Sequence, residues 1–301
     1  MQFVQQLING LTIGAFYSLV ALGYTMVYGV LKLINFAHGD MFMWGAYLGL
    51  TGLNVAVALL SGSSALMLIP VVIVVMVTMA LIGVLVERIA YRPLRSAGRL
   101  APVISALGVA FILESLARNV YGASWKTYPN VLALGGRIRL GEGASVSVMQ
   151  IAVLLVSFAL MGGLYLFVQR TRIGTAMRAV SLDHDVSRLM GIDVNRIIAI
   201  VFLIGPGLGG IAGVIVGVYY GSFDFTLGWV FGLKAFIAAI LGGIGNIPGA
   251  MLGGMILGII ETLGAGYISP QWKDVFAYLI LIVILIIRPT GLLGERVAEK
   301  L

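Results

Sequence analysis

Nine apolar stretches, separated by short polar segments, leave this chain few folds to choose from. They run over about 7–31, 41–60, 65–86, 101–121, 148–168, 197–219, 230–244, 250–265 and 275–287. About 20 apolar residues wound as an α-helix, at about 1.5 Å per residue, match the ~30 Å hydrocarbon core of a bilayer. Two of the later stretches are short for that task and are expected to be tilted or broken. The composition agrees, with 60% hydrophobic and 10% charged residues and a mean hydropathy of +1.07. Soluble domains carry about 25% charge, and a soluble fold of this size could not hide so much apolar surface. The expected fold is all-α: one polytopic transmembrane helical bundle over 1–301, with 8 to 10 spans. The 41 glycines exceed the ordinary share of about 7% and fit close helix–helix contact in lipid. The absence of cysteine excludes disulfides, thiol catalysis and cysteine-held metals. No Lys or Arg precedes Lys32, so the basic region of a cleavable signal is missing and the first stretch reads as a permanent helix.

The net charge of +7 concerns topology rather than nucleic acid, because of where the charges fall. The 87–99 segment has four arginines, 170–196 has five, and the tail adds Arg288, Arg296 and Lys300. Alternation of spans puts all three segments on one side, which the positive-inside rule makes cytoplasmic. The first residues then lie outside. The 122–147 loop runs against the trend, with Lys126, Arg137 and Arg139 on the outer side. Within it, 130–140 has two short runs about Gly135 and Gly136 and reads as a small hairpin. Pro93 forbids a continuous helix through 91–95.

The 171–196 segment is the longest polar insert on the cytoplasmic side, with Arg172, Arg178, Arg188 and Arg196 answered by Asp183, Asp185 and Asp193. It reads as the place where a soluble partner docks. Gly205, Gly209, Gly213, Gly217 and Gly221 form a four-residue ladder that leaves a groove along one helix. The groove fits packing within the subunit, and it also fits a surface lining a path or a subunit interface. Two Asn- and Gly-containing breaks, 35–40 and 241–249, read either as tight turns or as paired broken helices of a transport path. His38 and Asp40 lie in the first break and Asn246 in the second, so Asn35, His38, Asp40 and Asn246 are candidate path residues. Glu114 and Arg118 stand four apart in the order that favours an ion pair. Lys234 and Glu261 are charges inside apolar stretches and are expected to pair with each other near the path. Asp183, His184 and Asp185 have no further His or Cys nearby and read as a solvated loop rather than a metal site. There is no GxxxxGK[ST], HExxH or GxSxG motif, so the chain carries no phosphate-binding loop and no common hydrolase signature.

Five segments together carry a resemblance: INFAHGD at 34–40, YRPLR at 91–95, MRAVSLDHDVSRLMGID at 177–193, LGGIGNIPGAMLGG at 241–254 and RPTGLLG at 288–294. In that order they resemble the H-type permease subunit of bacterial branched-chain amino acid ABC importers. The resemblance implies a multi-pass permease of the bacterial inner membrane that binds no cofactor of its own. It implies a second, homologous permease, giving a heterodimer, and two ATPase subunits that use ATP and Mg. A periplasmic binding protein would deliver Leu, Ile or Val, and alternating access would carry it inward. Relatives that handle amides or urea are similar. The family's Glu-Ala-Ala-x-x-x-Gly coupling element maps onto Asp185, Val186, Ser187, Arg188, Leu189, Met190 and Gly191, with Val and Ser in place of the two alanines. Val186, Leu189 and Met190 are expected on one side of a short amphipathic helix. An ion-coupled secondary transporter using His38, Asp40 and Glu261 would leave the docking loop unexplained. A membrane enzyme would need a cluster of acids or histidines that the chain lacks, and a passive scaffold would not need interior charges.

Overall fold

A computed structural model of the chain describes residues 2–60, 65–95, 97–98, 100–129, 136–139 and 144–294. The polar segment 61–64 between the second and third stretches, the first run of the hairpin at 130–135, Arg99, Arg296 and Lys300 lie outside the described residues. The helices are α1 (Gln2–Leu31), α2 (His38–Leu60), α3 (Leu68–Val86), α4 (Leu100–Tyr121), α5 (Val148–Arg170), α6 (Arg172–Leu182), α7 (His184–Leu189), α8 (Val194–Tyr220), α9 (Leu227–Gly242), α10 (Ile247–Tyr267) and α11 (Lys273–Ile287). Among the described residues, eight helical segments are long and apolar enough to cross a membrane, and α9, with 16 residues, is the short ninth. Every apolar stretch of the sequence is thus a helix, and α9 is one of the two expected to be short.

The bundle is built around α1. The most apolar window of α1 is 89% buried inside the protein, against 6% for the window that ends with α11. Small residues let other backbones reach it. A Cβ on Gly10 or Gly14 would run into α10 at Gly254–Ile259, and Ser18 donates to the Met251 carbonyl at 2.7 Å. Without a hydrophobic force between helices in lipid, this close approach is what holds α1 and α10 together. On the far side α8 lies between α2 and α3. Gly210 meets Gly45 of α2 as well as Val75 and Met79 of α3.

The glycine ladder is used for the same purpose. Gly205 faces Gly23 of α1, Gly209 faces His38 and Phe42, Gly213 faces the α2 backbone from Phe42 to Ala46, and Gly217 faces the Tyr128 ring. The groove is therefore filled within the subunit. Gly221 is a correction: it is not a packing position. It has φ +72° and no atom near an added Cβ, and it ends α8 as a left-handed C-terminal cap.

Below Val86 the helix widens into a π-turn, Glu87–Tyr91, and tightens into a 3₁₀ turn, Arg92–Leu94, where Pro93 ends it. At the opposite end, four short strands among the described residues make two pairs. β1 (Lys126–Thr127) pairs with β4 (Ser222–Phe223), and β2 (Arg137–Arg139) with β3 (Ser145–Ser147). The strand at Arg137–Arg139 thus pairs forward, beyond the span expected of the hairpin. The two ends of the bundle differ in charge. Gln5 accepts from the Ser145 amide at 2.8 Å, so the first residues share an end with 122–147. At the other end, Arg95 bonds Asn195 at 3.0 Å and His184 meets the Val30 carbonyl at 2.8 Å, which gathers the 87–95 and 170–196 segments beside the end of α1.

Candidate functional site

Three groups of candidate residues take separate places in the bundle: its interior, one end, and the opposite end. In the interior, the chain turns back after Leu31 and α2 begins at His38, not at the bundle surface. The His38 ring occupies the space beside Gly23, eight residues before α1 ends, or about 12 Å along the axis. It is fully buried and meets Tyr24 edge-on at 5.0 Å. Neither ring nitrogen makes a hydrogen bond of good geometry, although the Val20 carbonyl lies close to the ring. Asn35 is also buried and accepts from the Tyr91 hydroxyl at 2.9 Å. Asp40 lies in the first turn of α2 against Gly228, in the first turn of α9. Two helix N-termini thus converge on one carboxylate, and their partial positive charge offsets the cost of burying it.

The break that meets Asn35–Asp40 is therefore the start of α9, not the Asn246 turn. Of the two readings open for 35–40 and 241–249, the 241–249 segment takes that of a tight turn. Asn246 sits in a tight turn between α9 and α10, where Gly245 approaches Gly29 near the end of α1. Its side chain caps α10 by accepting from Gly249 N at 2.9 Å, and its amide donates to the Leu293 carbonyl at 2.9 Å. The Leu292 and Leu293 amides bond the Leu241 and Gly242 carbonyls. The 241–254 and 288–294 motifs therefore form one knot. The sequence missed this link because the two segments lie about 40 residues apart and share no periodicity.

Toward the end that holds the N-terminus, Lys234 of α9 pairs with Glu261 of α10 at 2.6 Å, as expected. Sequence reasoning missed two further members of this cluster. Asp274, in the first turn of α11, lies 2.7 Å from Lys234, and the Tyr17 hydroxyl donates to Glu261 at 2.8 Å. The only sequence signal was an acid at the start of a helix, which the macrodipole favours without any partner. Glu114 and Arg118 do not pair. Arg118 instead lies 5.7 Å over the Phe225 ring.

At the opposite end, 171–196 folds as two short helices held on the bundle. Thr171 caps α6 by accepting from Gly174 N at 3.0 Å, and Met177 and Val180 turn inward. Asp183 caps α7 by accepting from Asp185 N and Val186 N, and Asp193 caps α8 by accepting from Arg196 N. Asp183 and His184 thus have structural tasks. Within α7 only Ser187 is buried, and its hydroxyl donates to the Asp183 carbonyl at 2.7 Å. Val186, Leu189 and Met190 stand 55%, 87% and 77% exposed, with Leu182 beside them at 85%. Arg188 and Asp185 pair on the surface at 3.2 Å. Gly191 has φ +80°, and the Ile192 amide closes back on the Ser187 carbonyl, so a glycine is needed to end α7.

The family model of branched-chain amino acid transport system permease components matches residues 6–285. A high-affinity branched-chain amino acid transport permease of Pseudomonas aeruginosa, BraD, is 43% identical over 99% of this chain and 98% of its own length. The corresponding Escherichia coli protein, LivH, is 38% identical over 100% of this chain and 98% of its own. A fructose import permease of Bifidobacterium longum is 25% identical over 71% of this chain and 66% of its own. No solved structure matches the chain.

Proposed function

The chain belongs to the family of branched-chain amino acid transport permeases, and from that premise we propose that it forms one half of an ATP-driven pathway importing Leu, Ile and Val. Full-length likeness to BraD and LivH supports the substrate class. A second, homologous permease would complete the pathway. Two ATPase subunits would use ATP and Mg, and a periplasmic binding protein would deliver the amino acid. The chain itself binds no cofactor in this reading. The end that carries α6, α7 and the arginines faces the cytoplasm, in keeping with the positive-inside rule.

The observation that carries the coupling role is α7. Three large apolar side chains, Val186 and Leu189 on a six-residue helix and Met190 at its C-cap, stand exposed among charged residues. An apolar cluster rimmed by charge is the form of a docking surface. Its back is held by Ser187, by the His184 contact with α1 and by the caps, so a push on α7 is passed to the ends of α1 and α8. Movement there reopens the interior, where α2 and α9 begin, to one side and then the other. The natural absence of cysteine makes the test simple. Leu189→Cys is expected to cross-link to an ATPase subunit in the assembled complex, whereas Trp125→Cys at the opposite end is not. A Leu189→Cys variant that assembles and transports but never cross-links would refute the docking assignment.

A further inference from the structure

We infer that the cavity beside Lys234 and Glu261 is a subsite for an α-amino acid zwitterion, lying at the outer end of the pathway; this rests on the importer reading above. The cavity holds about 340 Å³, within the range of roughly 300–1,000 Å³ usual for small-ligand pockets. Its lining includes Gln6, Gly266 and Lys273, near the N-terminus of α1 and the start of α11. That is the end opposite α7, and so the side from which substrate arrives.

The chemistry of its walls selects the ligand class. The adjacent cation and anion, Lys234 and Glu261, are 2.6 Å apart and both nearly fully buried. Asp274 also bonds Lys234, and Lys273 lines the cavity. Lys234, Lys273 and Glu261 line the cavity, and Asp274, outside that lining, neutralises Lys234, so the four charges balance. A net anion or a net cation would leave a charge unanswered in a poorly hydrated place, whereas a zwitterion leaves none. The α-carboxylate would be received between Lys234 and Lys273, and the α-ammonium by Glu261, whose orientation is fixed by the Tyr17 hydroxyl. The remaining wall, Ile13, Val230 and Phe231, is apolar and suits an aliphatic side chain. If the charges only tied α9 to α10, apolar residues of like volume would serve as well, because such replacements of buried ion pairs are commonly neutral or stabilising.

That contrast gives the experiment. The double variant Lys234→Met/Glu261→Gln removes both charges and keeps an acceptor for Tyr17. Binding of tritiated leucine is measured on the assembled transporter without its binding protein. Unlabelled leucine is expected to compete, with 3-methylbutylamine (no carboxylate) and 4-methylpentanoate (no ammonium) weaker by about tenfold or more. The double variant should co-purify with its partners and bind leucine about tenfold or more weakly. Wild-type affinity in the double variant, equal competition by the analogues, or no binding by the natural transporter up to about 10 mM would each overturn the subsite. In any of those cases, ATP-dependent leucine uptake by the complete natural system would leave the importer reading standing. Its absence would remove that reading first.

Discussion

Gly191 shows how much of the candidate site is decided by single residues. Its φ of +80° is one that side chains rarely adopt, and the space around it is open. A substitution there acts on the backbone turn, not through a clash within the subunit. Gly191→Arg adds both backbone strain and bulk beside the exposed apolar cluster. It is expected to abolish transport and partner-stimulated ATP hydrolysis while leaving the amount of inserted protein unchanged. Normal transport by Gly191→Arg would remove α7 from the coupling pathway. Lys234 tests a different principle. Lys234→Met alone leaves Glu261 buried without its cation, a loss on the order of 3–5 kcal/mol, read as a lower Tm in detergent. The double variant with Glu261→Gln should regain most of it. An unchanged Tm for the single variant would show that the pair is hydrated in solution.

At the scale of elements, the glycines divide into those that touch another backbone and those that do not. Gly213 faces the α2 chain from Phe42 to Ala46, so Gly213→Ala must push α8 away from α2; a clear fall in Tm is expected. Gly162, in α5, has open space, so Gly162→Ala is expected to be neutral or to stabilise by about 0.5–1 kcal/mol. Equal effects at both positions would contradict the packing described. Asn246→Ala removes the cap of α10 and the link to Leu293 together, and a loss of about 1–2 kcal/mol is expected. The elements themselves were legible because a membrane helix is announced by its own composition: all nine apolar stretches became helices, with ends within about five residues of those expected. Their partners were not. Whether Gly205 faces α1 or lipid depends on the neighbours its helix meets, and periodicity along one chain carries no record of them. The four-residue spacing continued through Gly221, although that glycine ends the helix. The two Asn-Gly breaks matched in composition, yet one is buried at the start of α2 and the other is a turn clasped by the C-terminal segment.

For the whole molecule, the arrangement links three levels along one axis: a cavity lined by Lys234, Glu261 and Lys273 toward the end that holds the N-terminus, an interior where two helices begin against each other, and an opposite end that presents α7. α1 runs through all three, contributing Tyr17 to the cavity, Gly23 to the seat of His38 and Val30 to the support of α7. Its burial on nearly every face makes it the element that cannot move without moving the rest. The segment of α7 was marked in the sequence by Asp185 and Gly191, with Val186 and Ser187 standing in place of the two alanines of the element it resembles. The cavity was only half legible, because Tyr17 and Asp274 come from opposite ends of the chain. The central claim, that this subunit works only as part of an ATP-driven importer, is tested most directly by uptake of radiolabelled leucine into proteoliposomes. These would hold the chain with its partner permease and ATPases, with the binding protein outside and ATP inside or absent. Uptake that requires ATP and every partner is the expected result; ion-gradient-driven uptake by this chain alone would contradict the account.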